Sequence, residues 1–178
     1  MKWEQIIGQQ SIKNLLQDSI KDSRVGHAQL FVGEEGFGVL PLALAMAQEI
    51  FEKENPASVH KVENLNHLDL HFSFPVFTEN KNSLSKRLFD QWREFILENP
   101  YSSFDDWTSF LESENKQFFI SADEAEDIGQ RFNLKSFEGG SKILIVWRAD
   151  KMNDAAANKI LKFLEEPPKN TFIILCAP

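Results

Sequence analysis

The residues of this chain best placed to do chemistry form the run Gly33-Glu34-Glu35-Gly36-Phe37-Gly38-Val39-Leu40. Gly33 and Gly38 fit the spacing G-x-x-x-x-G-K-[ST]. In that motif glycines let backbone amides curl around phosphates, the lysine bridges the terminal phosphates and the hydroxyl holds magnesium. Here Val39 stands where the lysine belongs and Leu40 where the hydroxyl belongs. Glu34 and Glu35 put two carboxylates inside the loop, so its formal charge moves from about +1 to about -2 beside a strongly anionic ligand. ATP and magnesium binding are therefore doubtful, and no cofactor is expected. A simpler alternative is that glycines before a helix only make a tight turn.

A nucleotide hydrolase of this kind also needs an Asp-Glu pair at the end of a later apolar strand, Asp to orient magnesium and Glu to activate water. The strand is readable as Ile143-Leu144-Ile145-Val146, and Trp147 and Arg148 stand at its end, with Asp150 just beyond. Neither Trp147 nor Arg148 can do those jobs. Two separate positions have lost magnesium and water chemistry together, so no ATP hydrolysis is expected of the chain alone. Arg148 has two readings: a cation that binds phosphate in place of the missing lysine, or a partner for Glu34 or Glu35 that seals the loop. The second asks less of the sequence.

A working or vestigial phosphate loop needs a strand before it and a helix after it, and the hydrophobic pattern supplies both. Ala28 to Val32 reads as a short buried strand and Pro41 to Phe51 as a helix. Before them, Ile12, Leu15, Leu16 and Ile20 recur at helical spacing over Gln10 to Lys21. Glu52 to Asn66 is polar, contains Pro56 and reads as a linker, followed by alternation at Leu68, Leu70, Phe72 and Phe74. Leu84, Leu88, Trp92, Phe95 and Ile96 share one helical face, and Phe104, Trp107, Phe110 and Leu111 repeat the pattern. These two helices suggest an insertion over residues 79–117, with Trp92 and Trp107 as its core.

Ser121-Ala122-Asp123-Glu124 has capping-box spacing and predicts a helix to about Leu134. Phe137 to Ser141 turns the chain. Lys142 to Trp147 reads as a buried strand, Asp154 to Glu166 as a helix stopped by Pro167-Pro168, and Thr171 to Cys176 as another buried strand. Buried strands alternating with helices predict an α/β fold with a parallel sheet covered on both faces.

Composition excludes several classes of function. The 178 residues carry a formal net charge of -8, which repels nucleic-acid backbones. Sixteen Phe and four Trp favour a packed core over disorder. Cys176 is the only cysteine, so no internal disulfide forms and nothing points to an oxidising compartment; the expectation is cytoplasmic. No apolar run reaches the roughly 18 to 20 residues that span a bilayer. His60, His67 and His71 could in principle ligate a metal, but read more simply as polar residues on a strand and its approach, and zinc is not expected.

The run Asp154-Ala155-Ala156-Ala157-Asn158-Lys159-Ile160-Leu161-Lys162-Phe163-Leu164-Glu165-Glu166-Pro167-Pro168 resembles the helix after the second strand in the N-terminal AAA+ domain of bacterial DNA polymerase III clamp-loader subunits. Asn158, Leu161, Leu164 and Glu165 to Pro168 carry most of the likeness. Trp3, Ile6 to Gln9, His27-Ala28, Leu30-Phe31, Glu138-Gly139-Gly140 and Lys142 also match family positions. The resemblance covers both ends of the chain and only weakly covers Asn55 to Phe118, apart from the strand near Leu68 to Phe74.

The resemblance implies a P-loop NTPase fold of the AAA+ type over residues 1–178. With Val39, Leu40, Trp147 and Arg148 in place, it points to the non-hydrolysing delta-prime branch rather than to the motor subunits. It implies motor and delta subunits as partners, with the sliding clamp and primed DNA reached through the assembly. Relatives continue past this point with a Ser-Arg-Cys segment, a helical lid and a collar domain, and commonly carry a four-cysteine zinc module that this chain lacks. Two other readings stay open: an ATPase with substitute residues, and a scaffold outside replication. Glu165 and Glu166 lie at a helix C-terminus, where the dipole disfavours negative charge; they either meet a neighbour or sit in solvent near Lys162 and Lys169.

Overall fold

The computed structural model describes residues 1–178. After a 3-10 turn at Trp3–Gln5, the elements run α1 (Gln10–Lys21), β1 (Ala28–Val32), α2 (Val39–Glu54), α3 (Val59–Glu63), β2 (Leu70–Ser73), α4 (Phe89–Glu98), α5 (Phe104–Phe110), α6 (Ala122–Asn133), β3 (Lys142–Trp147), α7 (Asp154–Glu165) and β4 (Thr171–Ala177). The four strands form one parallel sheet in the order β1-β4-β3-β2. No helix is long and apolar enough to cross a membrane.

Every residue of β3 is buried, as the apolar run Ile143 to Trp147 requires in a central strand covered on both faces, and Lys142 at its start donates through Nζ to the Arg131 and Leu134 carbonyls. Its alternation sorts the core into two. Ile143, Ile145 and Trp147 face a large cluster built from α2, the N-terminal segment and the aromatics of the insertion. Leu144 and Val146 face a smaller one with Ile120, Ile128, Phe132, Ile160 and Ile173, under α6 and α7. The insertion is continuous with the larger core: Trp92 stacks on Phe74 at 4.7 Å, and Trp107 meets Phe74 edge-on at 5.7 Å.

Several sequence expectations need correction. β1 is an edge strand hydrogen-bonded only to β4, and Leu30 and Val32 are 62% and 66% exposed rather than buried. Helix α1 turns a different face inward: Leu16 and Ile20 are buried, Ile12 and Leu15 are exposed, and Lys13 lies inside with Nζ donating to the Ile6 carbonyl at 3.2 Å. The lysine's aliphatic stem packs while its ammonium reaches a backbone acceptor. The segment read as a linker holds a 3-10 turn at Pro56–Ser58 and α3, which buries Val62. The capping box at α6 is half formed. Ser121 Oγ accepts from Glu124 N–H at 3.1 Å, but the Glu124 carboxylate reaches Ser85 of the insertion instead of folding back.

Candidate functional site

The loop Gly33 to Leu40 joins β1 to α2 at the C-terminal edge of the parallel sheet, where open α/β folds bind ligands. Gly33 N–H donates to the Ala177 carbonyl on β4 at 3.1 Å, and Phe37 N–H closes a turn on the Glu34 carbonyl at 3.1 Å. Gly36 and Gly38 have φ of 81° and 91°, a region that glycine enters without steric penalty. Gly38 caps α2, and its carbonyl accepts from Leu42 N–H at 2.9 Å. No protein atom accepts from the amides of Gly36, Gly38, Val39 or Leu40. The donors of an anion cradle are therefore still in place.

The side chains have gone elsewhere. Val39 folds back on the loop, so that a Cβ at Gly33 would lie 2.9 Å from its Cγ2. Leu40 is buried in the larger core. The aromatic ring of Tyr101 closes over Gly38, with Cε1 3.4 Å from where a Cβ would stand. A cavity of about 40 Å³ remains among the loop, Tyr101, Trp147 and Cys176. Small-molecule sites hold roughly 300 to 1,000 Å³.

Arg148 sits at the end of β3 with φ 56° and ψ 54°, a left-handed backbone that costs a non-glycine residue on the order of 1 kcal/mol or more. Each of its three guanidinium nitrogens donates one hydrogen bond. It donates to both oxygens of Asp150, at 2.8 and 2.7 Å, and to Glu35 Oε1. It also lies 4.9 Å over the Phe104 ring, while Phe104 N–H donates to Glu35 Oε1 at 2.9 Å. Loop, strand end and insertion thus meet at one carboxylate. The hydrogen bonds that Arg148 donates to Asp150, helped by the charges of Asp150 and Glu35, raise the Arg148 pKa.

Burial pushes Asp150 up, but the hydrogen bonds and charge of Arg148 outweigh it and hold Asp150 below the ordinary carboxylate range. A carboxylate with a depressed folded pKa contributes stability above its unfolded value, about pH 4, and loses it as pH falls through the folded value. The stability difference between the wild type and Asp150→Asn should therefore be at most about 1 kcal/mol at pH 7 and smaller at about pH 3. Urea melts at the two pH values measure it; a difference that grows on acidification contradicts the pairing.

The helix that carried the family likeness stands apart from this cavity. Asn153 caps α7 by accepting from Ala156 N–H at 2.8 Å. Asn158, Leu161, Glu165 and Glu166 are exposed, and Leu164 and Pro167-Pro168 are half-buried. The Leu164 carbonyl lies 3.1 Å from His27 Nε2, so two family-matched segments do meet. Glu165 and Glu166 make no ion pair, with Lys162 and Lys169 or otherwise. The three histidines diverge: His60 is exposed, His67 stacks on Phe51 at 4.0 Å, and burial lowers His71 to a pKa of about 4 beside Phe132. Pro100, Tyr101, Ser102 and Phe104 were not read as part of the site from sequence. Phe104 reaches Glu35 across 69 residues of chain, and no local pattern records that.

A family model described as DNA polymerase III, delta subunit, matches residues 8–178. The chain is 29% identical over 174 residues to the DNA polymerase III subunit delta' of Bacillus subtilis, covering 94% of this chain and 41% of that protein. It is 38% identical over 58 residues to the subunit delta' of Haemophilus influenzae, covering 33% of this chain and 18% of that protein. A solved structure of a DNA polymerase III gamma subunit-related protein from Thermotoga maritima aligns over 94% of this chain and 38% of its own, at 16% identity and a TM-score of 0.42. The chain thus spans about two-fifths of the Bacillus subtilis relative and a smaller share of the Haemophilus influenzae one. A parallel sheet with a glycine loop at its C-terminal edge, and a family match that runs through both, place the chain in the DNA polymerase III delta-subunit family.

Proposed function

We propose that this chain is the AAA+ core of a non-hydrolysing clamp-loader subunit of the delta-prime kind. It holds neighbouring motor subunits in register while they hydrolyse ATP to load the sliding clamp onto primed DNA in the cytoplasm. The observation that carries this reading is the loop itself. Its backbone keeps the shape of a phosphate cradle, while Val39, Leu40 and Arg148 supply neither a free cation, nor a hydroxyl, nor a magnesium ligand. The names of the relatives support the assembly. An acidic chain gains little from binding DNA by itself, so contact with primed DNA runs through its partners.

The rival in which Arg148 replaces the lost lysine requires a guanidinium free to meet phosphate, and Arg148 is committed to Asp150, Glu35 and Phe104. Calorimetric titration of the full-length protein with MgATP should give no binding at millimolar nucleotide and no phosphate release. The same protein mixed with motor and delta subunits should co-elute as one complex with ATP-dependent clamp loading. Turnover by the isolated subunit would sink the non-catalytic reading, and failure to assemble would favour a scaffold outside replication.

A further inference from the structure

We propose that Pro100–Phe104 of the insertion is a built-in occupant of the phosphate loop, a tethered plug that holds the nucleotide site permanently shut. The inference rests on the non-catalytic reading and adds a cause to it: the site is closed by this chain's own residues, over and above the substitutions at Val39 and Leu40. Three contacts fix the plug. Tyr101 Oη accepts from Ile7 N–H at 2.9 Å, placing the ring across the start of α2. Phe104 N–H donates to Glu35 Oε1 at 2.9 Å. Arg148 joins the same carboxylate and lies over the Phe104 ring, with Lys151 Nζ 4.6 Å from that ring.

Glu35 acquires a role from this arrangement. Inside an open phosphate loop a carboxylate would repel the ligand. Here it is the acceptor to which the insertion and the strand end are both tied. The plug also sits on a rigid base. Ser103 caps α5, its Oγ accepting from Asp106 N–H at 3.1 Å while Asp106 Oδ2 accepts from Ser103 N–H at 2.8 Å. Trp107, one turn further on, is fully buried. The insertion therefore cannot swing away without disturbing the core that it shares with the sheet.

Two unique side chains report on the plug. Tyr101 is the only tyrosine and Cys176 the only cysteine, and both line the remaining cavity. Burial pushes the Cys176 thiol up to about 12, so the native protein should alkylate slowly. In the full-length protein, Tyr101→Ala should speed iodoacetamide labelling of Cys176 by at least about 10-fold, with the thermal midpoint kept within a few degrees. Tyr101→Phe keeps the ring and should stay within about 3-fold of wild type. Equal rates in the wild type and a folded Tyr101→Ala variant overturn the plug.

A second arm restores the missing side chains. Val39→Lys with Leu40→Thr alone should not bind MgATP, whereas the same pair with Tyr101→Ala and Glu35→Gln should bind at least about 100-fold more tightly. Equal MgATP affinity for the two engineered proteins also overturns the plug. If neither binds, the Cys176 rate decides. Loss of the plug in these assays, with the unmodified protein still unable to bind nucleotide, leaves the non-catalytic reading standing; MgATP turnover by the unmodified protein removes that reading itself.

Discussion

Trp92→Ala should lower the stability of this protein by about 3 to 5 kcal/mol and its thermal midpoint by on the order of 10 °C. The total stability of a domain is about 5 to 15 kcal/mol, so this one change removes a large share of it. Trp92 is fully buried, stacked nearly parallel to Phe74 at 4.7 Å and within 4.9 Å of Phe72, and Trp147 lies 6.3 Å away. Its α4 therefore packs on the ends of β2 and β3 rather than on the insertion alone. If the insertion were an appended unit, the substitution would melt it separately and leave the sheet's transition in place. A shared core predicts one cooperative transition at a lower temperature, seen together by near-ultraviolet circular dichroism and by the far-ultraviolet helix signal. Two separated transitions would contradict the shared core. Trp92→Phe keeps an aromatic face for Phe74 and should cost roughly 1 to 2 kcal/mol, less than alanine. The indole Nε1 has no acceptor, so its removal forfeits no hydrogen bond and part of the cavity cost is offset.

What the sequence disclosed depended on how local the physics was. The continuous run Ile143 to Val146 is legible because a strand buried on both faces cannot afford a polar residue on either. The cap at Ser121 is legible because its donor lies three residues away. The frame of the loop is legible in the spacing of Gly33 and Gly38, and Gly38 does take the positive φ that favours glycine. Strand order is not local. Leu30 and Val32 look like core residues until β1 is known to lie at the edge of the sheet. The same holds for α1, whose inward face is set by where Trp3 and Ile6 place their carbonyls for Lys13. Helix α3 is so short and polar that its two anchors, Val62 within it and Leu65 just after it, give no periodicity to read.

The loop illustrates the division most sharply. The lack of the motif's lysine and hydroxyl is visible in Val39 and Leu40, whereas the contacts of Tyr101 and Phe104 over the loop follow from the packing of Trp92 and Trp107. A disabled site and a filled site are different physical states. In the first, backbone amides still face a space in which an anion could lie. In the second, an aromatic ring and an ion-paired carboxylate already hold that space. The non-hydrolysing role proposed above would benefit from the second, because a domain without a ligand-dependent cleft has one fewer conformation to populate.

Removing the Glu124 side chain should have the other large effect, about 3 kcal/mol for Glu124→Ala by chemical denaturation. The carboxylate is almost fully buried; Oε2 accepts from Ser85 N–H at 2.8 Å and Oε1 from Ser85 Oγ at 2.6 Å. Ser85 is equally buried, so the alanine variant strands its N–H where water cannot reach, while its Oγ keeps only the longer contact to the Phe72 carbonyl at 3.4 Å. Arg131, 3.8 Å from Glu124 Oε1, loses a neighbouring charge but keeps Asp127 at 2.7 Å. Glu124→Gln preserves shape and one acceptor and should lose less, about 1 kcal/mol. Sequence spacing assigned Glu124 to the first turn of its own helix, whereas the structure uses it to tie α6 to the segment entering α4, across 39 residues. A double-mutant cycle with Ser85→Ala separates the two. A tie between elements predicts a coupling energy of about 1 to 2 kcal/mol, and a purely local role for Glu124 predicts a coupling near zero. With the coupling present, the insertion is fastened on both faces of the sheet: by Trp92 and Trp107 on the side of α2, and by Glu124 through α6 on the other.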